Sequence, residues 1–385
     1  MQADTQNQPT HVTLIMINYN GRRFLGDLLF QGLRSTLATR YPSFDVIFVD
    51  NDSDDDSPAE VEREFCTEIR SGKLRLIKFD KNYGYAGGAE RALGHARGDI
   101  IGILNTDIVV EPDWLGHLVA TLERRPRSLV ACPKIMMLER PDLVASAGGA
   151  ANILLVAWDR CLLAKDEMCT VDPKAFHPAG AAFVFKRELL RIDPRHQLFD
   201  PEYFAYFEDV ALGWKVQVLG YETIVVPQAR IFHKCGGTFG RISPEKFFLM
   251  RRNAIVTAIK YMESRLLLAL MPLYLLSTLF AGMLFSQATG DRGYVFAAAK
   301  AVAIILMRFP HFWSRKLPES SRKVPTSQLT FSSEFPTYKP SSPLQNSAVR
   351  FLNKLLEWLG LPNARIESLR PYPTFEFFQL ENDPT

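Results

Sequence analysis

The chain has little net charge. Its 385 residues carry 45 lysines and arginines against 42 aspartates and glutamates, a formal charge of +3. That excludes a disordered acidic or basic protein, and it gives no support to nucleic-acid binding, which needs a strongly basic domain. Cysteine is scarce. There are five (Cys66, Cys132, Cys161, Cys169 and Cys235), an odd count with no CxxC pair. No zinc site or disulfide framework is expected, and the thiols read as small buried or partly buried groups in a reducing compartment. The opening MQADTQNQPT lacks an apolar run. No secretory signal is read there, residues 1–10 are expected to be disordered, and the N-terminal portion is expected to stay in the cytosol. There is no GxxxxGK[ST] phosphate loop and no internal repeat.

What is present from His11 onward is an alternation of strand and helix. Val12 to Ile17 is an apolar run ending in a Tyr-Asn-Gly turn, and FDVIFVD (Phe44 to Asp50) is a second one. Lys73 to Asp80 and Asp99 to Asp107 follow, separated by helical stretches at Ser57 to Ile69 and Ala86 to Ala96. Such spacing predicts βαβ units, an α/β fold and a mostly parallel central sheet. Ligands collect at the carboxyl ends of strands in such sheets. Asp50, Asp80 and Asp107 all end predicted strands. Beyond Pro112 the pattern is less regular. Gly180 to Leu190 reads as a strand running into a helix, Asp209 to Leu219 as a helix and Pro244 to Met262 as a long one.

The second scarcity is local. From Leu266 to Gly290 no residue is charged, over 25 positions. About 20 apolar residues span a bilayer core. A second run, Tyr294 to Met307, is shorter and interrupted by Lys300, and reads as an interfacial or re-entrant helix. Lys260, Arg265, Arg308, Arg315 and Lys316 flank the pair and favour a cytosolic location for both ends. The alternative is a buried helix pair packed on the domain. Residues 263–312 are therefore read as a membrane-associating helical segment. Residues 313–385 are read as a Pro/Ser-rich linker followed by a short amphipathic helix with Phe351, Leu355 and Leu359 aligned.

Six motifs in order carry a resemblance: INYNG (Ile17 to Gly21), VDNDSDDDS (Val49 to Ser57), DKNYGYAGGAERAL (Asp80 to Leu93), LNTDIVVEPDWL (Leu104 to Leu115), YFEDVALGWK (Tyr206 to Lys215) and FHKCGG (Phe232 to Gly237). Residues 11–262 resemble a family 2 glycosyltransferase of the rhamnosyltransferase-like and galactofuranosyltransferase-like branch. The resemblance implies a GT-A fold over those residues, a nucleotide-sugar donor, a divalent cation (Mg²⁺ or Mn²⁺) and an inverting mechanism.

The chemistry asks for the same kit. A leaving nucleoside diphosphate gathers negative charge that a metal ion or other cations must absorb. The attacking hydroxyl must lose its proton to a carboxylate within hydrogen-bond reach. Asp107, ending Asn105-Thr106-Asp107, suits the metal role. Relatives carry Asp-x-Asp here, so Asn105 is read as supporting Asp107 or touching the sugar. The resemblance adds His233 as a second metal or diphosphate contact. It implies donor binding at Asn18, Tyr19, Asn20, Asp50, Asn51, Asp80, Asn82, Gly84, Gly87, Gly88 and Asn105. It places the base on Asp209, with Glu208 in support. Gly180, Ala181 and Trp214 are read as the acceptor wall, with core packing the rival role for Trp214. Trp158, Ser146 and Gly148-Gly149 are further acceptor-side candidates, and Arg241 and Arg252 could meet the diphosphate.

The expected function is sugar transfer from a nucleotide-sugar donor to a glycan or lipid-linked glycan acceptor at the cytoplasmic face of the cell membrane, with membrane lipids and no nucleic acid as partners. A processive polysaccharide synthase is the first alternative, but no Gln-x-x-Arg-Trp segment or set of spans is present. A sugar nucleotidyltransferase would open on a Gly-rich basic signature. A catalytically idle membrane scaffold is the non-enzyme alternative.

Overall fold

The computed structural model describes residues 8–234, 242–337 and 343–371. The first half alternates as the sequence predicts: β1 (Val12–Asn18), α1 (Gly21–Leu25), α2 (Leu28–Leu37), β2 (Phe44–Asp50), α3 (Ser57–Glu64), α4 (Cys66–Arg70), β3 (Leu74–Lys78), α5 (Gly84–Leu93) and β4 (Ile100–Leu104). Then come β5 (Ile108–Val110), α6 (Trp114–Arg124), β6 (Ser128–Met137), β7 (Val144–Ser146), β8 (Gly149–Ala151), β9 (Ala157–Asp159), β10 (Lys174–Ala175), β11 (Ala182–Lys186), α7 (Glu188–Ile192), α8 (Glu208–Val218) and β12 (Glu222–His233).

One sheet organises these elements, in the order β10-β12-β6-β11-β4-β1-β2-β3. The β3-β2-β1-β4 half is parallel throughout. β11 lies antiparallel between β4 and β6, and β12 runs parallel to β6. β1 and β2 are buried along their whole length. Their side chains alternate between two cores, Ile15, Ile17, Ile47 and Val49 on one face and Leu14, Met16, Val46 and Phe48 on the other. A strand covered by helices on both faces reads as an unbroken apolar run, which is why these two were legible.

The C-terminal third departs from the sequence reading. α9 (Pro244–Tyr261) begins at Ser243, whose side chain accepts from the Lys246 backbone amide, with Pro244 in the first turn. α10 (Ser264–Thr289), α11 (Gly293–Met307) and α12 (Phe309–Ser314) follow. Leu267, Leu270, Met271 and Tyr274 of α10 join the same apolar core as the sheet, so residue 262 is no domain boundary. The expected linker from 314 is an ordered strap across the described part, up to 337. Leu317 N donates to Lys260 O, Lys323 N to Val218 O and Ser332 N to Ala151 O. Leu317, Leu329 and Phe331 are buried at irregular intervals, each filling a separate gap, and so leave no period to read. β13 (Glu334–Thr337) pairs with β14 (Ser368–Pro371). Between them, α13 (Pro343–Trp358) docks on the domain through Leu352 and Leu356, while Phe351 is exposed. The inward face is thus one residue away from the stripe expected.

Two smaller expectations are corrected. Cys161 and Cys169 form a disulfide across the β9–β10 connection, whereas Cys66 and Cys132 are free. Spacing alone missed the bond because the turn between the two cysteines brings them together. Lys260, expected to flank a membrane, is fully buried against Asp200. Cys235, Gly236, Gly237 and Arg241 lie outside the described residues, as do residues 1–7 of the expected disordered N-terminus.

Candidate active site

β1, β2, β4 and β12 point the same way, so Asn18, Asp50, Asp107 and His233 meet at one edge of the sheet. β11 runs the other way and brings its amino end there. Ala182 pairs with Leu104, and Asn105 N donates to Ala181 O at 2.8 Å. Gly180 and Ala181 therefore arrive beside Asp107 from a distant part of the chain.

On the β1–β2 side, the carboxylate of Asp50 accepts from Asn18 Nδ2 at 3.1 Å and from Ser53 N at 3.3 Å. Asn18 is wholly buried, and its amide also donates to Ser53 Oγ, so it orients Asp50 rather than reaching a ligand. Asn20 sits in the left-handed region at φ 53° and accepts from Asp54 N, making it a turn builder. Tyr19 is 46% exposed at the mouth. Asn51 is consumed by the next loop: Nδ2 donates to Asn82 Oδ1 and Gly84 O, and Oδ1 accepts from Tyr83 N. Gly84 is needed for packing, since at φ 71° an added Cβ would lie 2.4 Å from Phe204 O. Gly87 and Gly88 likewise face Tyr83 and Asn51. Asp80 is exposed, and a hydrogen bond from the Tyr83 hydroxyl holds its carboxyl below the usual range.

At the centre, Asp107 Oδ2 lies 3.2 Å from His233 Nε2. Burial alone would raise its carboxyl, but His233 and a hydrogen bond from Asn105 outweigh it and the net shift is downward. Asp107 Oδ1 is buried with no hydrogen-bond partner. An orphaned carboxylate oxygen beside an imidazole is a donor set suited to Mn²⁺ or Mg²⁺, with phosphate oxygens completing the shell. No cluster of three or more His, Cys, Asp or Glu ligands occurs among the described residues.

On the far side stands the Glu208-Asp209 pair at the start of α8. The approach is strained: Phe204, Tyr206 and Phe207 have φ of 63°, 69° and 72°. Such backbone persists only where surrounding structure holds it. α9 does so. Asn253 Nδ2 lies within hydrogen-bond reach of Tyr203 O, Ala205 O and Tyr206 O, and Arg252 Nη2 donates to Glu202 O and Tyr203 O. Arg252 is thereby committed to the loop and not to a diphosphate. Replacing Asn253 by Leu should cost about 1–3 kcal/mol, the penalty for stranding buried carbonyls. It should also lower kcat more than it raises the donor KM. Urea unfolding and steady-state rates check both.

Asp209 presents its carboxylate toward Gly180, where an added Cβ would lie 3.0 Å from Oδ2. His177 Nδ1, which donates to Pro178 O, lies 3.6 Å from the same oxygen. Glu208 is buried, and burial followed by the charge of Asp209 pushes its carboxyl up to about 8. A folded state that holds this proton more tightly than the unfolded chain is stabilised below pH 4.5, and the advantage drains away as pH rises toward 8. Glu208→Gln should therefore raise the melting temperature at pH 8 and leave it nearly unchanged at pH 4.5. Thermal melts at the two pH values test this.

Residues 13–191 match the model described as Glycosyl transferase family 2. This stretch is therefore similar to a family 2 glycosyltransferase domain. It spans the parallel strands, Asp50, Asp107 and the Gly180 wall, and the sheet is that of the GT-A fold. The uncharacterized protein y4gI of Sinorhizobium fredii is 28% identical over 235 residues, covering 59% of this chain and 24% of its own length. An N-acetylglucosaminyl-diphospho-decaprenol L-rhamnosyltransferase of Mycobacterium tuberculosis is 24% identical over 243 residues, covering 57% of this chain and 73% of that one. Among solved structures, a mannosyltransferase of Pyrobaculum calidifontis with GDP-Man and Mn²⁺ superposes at TM-score 0.48 with 16% identity, covering 98% of this chain and 89% of that one. The chain thus spans about a quarter of y4gI and about three quarters of the rhamnosyltransferase.

The candidate site contains residues the sequence did not single out. Tyr85 donates its hydroxyl to Gly180 O at 3.1 Å. Burial, with Glu208, Asp209 and Asp107 all close by, keeps its phenol well above the ordinary range. It touches both halves of the site from within DKNYGYAGG, where the glycines drew the attention. Asp159, beside Trp158 on β9, feels His177, Asp209 and His233, and burial pushes its carboxyl up. No local motif marks it. Trp214 lies on the opposite side of α8, buried edge-on to Phe176 and Phe331. The packing role holds for it and the acceptor-wall expectation is withdrawn.

Proposed function

We propose that the protein is an inverting, metal-dependent glycosyltransferase. It moves a sugar from a nucleotide-sugar donor to a hydroxyl of a glycan or lipid-linked glycan at the cytoplasmic face of the cell membrane. The observation that supports this reading is that Asp107, which pairs with His233, and the Glu208–Asp209 pair all lie close enough to Tyr85 to act on its phenol. Asp107 and His233 would hold the divalent ion, which when bound neutralises the charge that builds on the leaving diphosphate. Asp50, held by Asn18 and Ser53, accepts hydrogen bonds from base or ribose, and Tyr19 covers that end. Asp209 takes the proton of the attacking hydroxyl as the new glycosidic bond forms. Glu208 lies beside Asp209 with its carboxyl raised to about 8 by burial, and is read as supporting the base. Attack from the face opposite the leaving group inverts the anomeric centre.

A thermal-shift screen of nucleotide sugars with Mn²⁺ or Mg²⁺ tests the proposal. One donor should raise the melting temperature, only with metal present, and release its nucleoside diphosphate when acceptor is supplied. No shift with any donor, together with no nucleoside diphosphate released, would leave the idle scaffold as the better reading.

A further inference from the structure

α10 is the one helix among the described residues long and apolar enough to cross a membrane. Its surroundings argue against crossing. One face is committed to the catalytic domain: Leu267, Leu270 and Tyr274 are buried, and the Tyr274 hydroxyl donates to Ile153 O at 2.9 Å. Halfway along, Arg251 of α9 donates to Ser277 Oγ at 3.1 Å and Thr278 Oγ1 at 3.3 Å. α11 packs tightly beside α10, where a Cβ on Gly282 would lie 2.5 Å from that of Ala298, and its Tyr294 meets Phe247 of α9 edge-on. A spanning α10 would drag α9, with Lys246, Arg251 and Arg252, into hydrocarbon, and each cation there is costly.

The outer faces are the opposite in character. Leu276, Phe280, Met283 and Leu284 of α10 and Phe296 and Met307 of α11 are exposed. An uncovered apolar surface on this scale marks an interaction site. Between residues 264 and 308 the charged residues are Arg265, Arg292, Lys300 and Arg308 against Asp291, and all five are exposed. Four cations to one carboxylate, around long apolar side chains, suits anionic lipid better than a protein groove.

We propose that the α10–α11 hairpin lies in the plane of an anionic membrane, its outer side chains sunk to the acyl boundary, and does not span it. The hairpin adjoins the base loop: Arg308, which caps α11, meets Glu202 at 2.7 Å, and Lys246 of α9, the helix packed on α11, lies over the Tyr206 ring. Docking therefore turns the Asp209 side of the site to the bilayer surface, where the hydroxyl of a lipid-linked acceptor is found. This last step rests on the proposed transfer; the docking itself does not.

The experiment is flotation of the full chain with vesicles of phosphatidylcholine alone or mixed with phosphatidylglycerol. The protein should float with the anionic vesicles and not the neutral ones, and alkaline carbonate should strip it. The double variant Phe280→Glu/Phe296→Glu should keep its melting temperature and nucleotide-sugar binding but bind vesicles at least about tenfold more weakly. Retention through carbonate would establish a span and overturn the proposal. Dimerisation in solution, abolished by the double variant and without vesicle binding, would overturn it in favour of a second copy. Flotation as expected with no nucleotide-sugar binding would uphold the docking and sink the transfer reading alone.

Discussion

Asp209→Asn should lower the rate of sugar transfer by roughly 10²–10⁴-fold, the range that a positioned general base contributes. Nucleotide-sugar affinity should change by less than about twofold, because uniform binding and proton abstraction are separable. The substitution keeps shape and removes basicity. Gly180 leaves room for either side chain, and the Oδ1 contact from Val210 N survives in the amide carbonyl. His177 and Gly180 are undisturbed. Full activity in Asp209→Asn would end the base assignment, and loss of donor binding together with rate would point to a structural role.

Asp107→Ala carries the second large effect. The side chain bonds His233 and is approached by Asn105, and its orphaned oxygen is where the proposed cation would be held. A metal held by Asp107 would be worth several kcal/mol to the binding of an anionic diphosphate, so donor affinity in Mn²⁺ should fall by about 10²-fold, to the value the native chain shows in EDTA. Isothermal titration with and without chelator decides it. Equal affinities of the two proteins in Mn²⁺ would refute the role.

The parallel half of the sheet was legible because its strands are buried on both faces, and the same apolar runs made the strand-end positions of Asp50 and Asp107 legible. Residues that act through long-range contact were not. Tyr85 reaches Gly180 across 95 positions and His177 reaches Asp209 across 32, and no periodicity encodes either approach. Several motif residues, Asn18, Asn51 and Gly84 among them, are held in contacts within the loops that the motifs alone do not reveal. They hold the loops that carry the ligand-facing groups. The strap from 317 to 334 escaped for a related reason. Its apolar residues are singletons, each meeting a pocket made elsewhere.

That strap has a temporal consequence. Phe331 stacks on Phe176, one residue from His177, and Thr330 donates to Gln217 of α8. The helix that presents Asp209 is thus propped from behind by the chain's last third. As the polypeptide leaves the ribosome, the sheet and both metal-side residues emerge well before the prop does. The prop behind α8 can be seated only after residue 332 is free to dock on Ala151, so an incomplete chain would hold the sheet before the helix that carries Asp209 is fully braced.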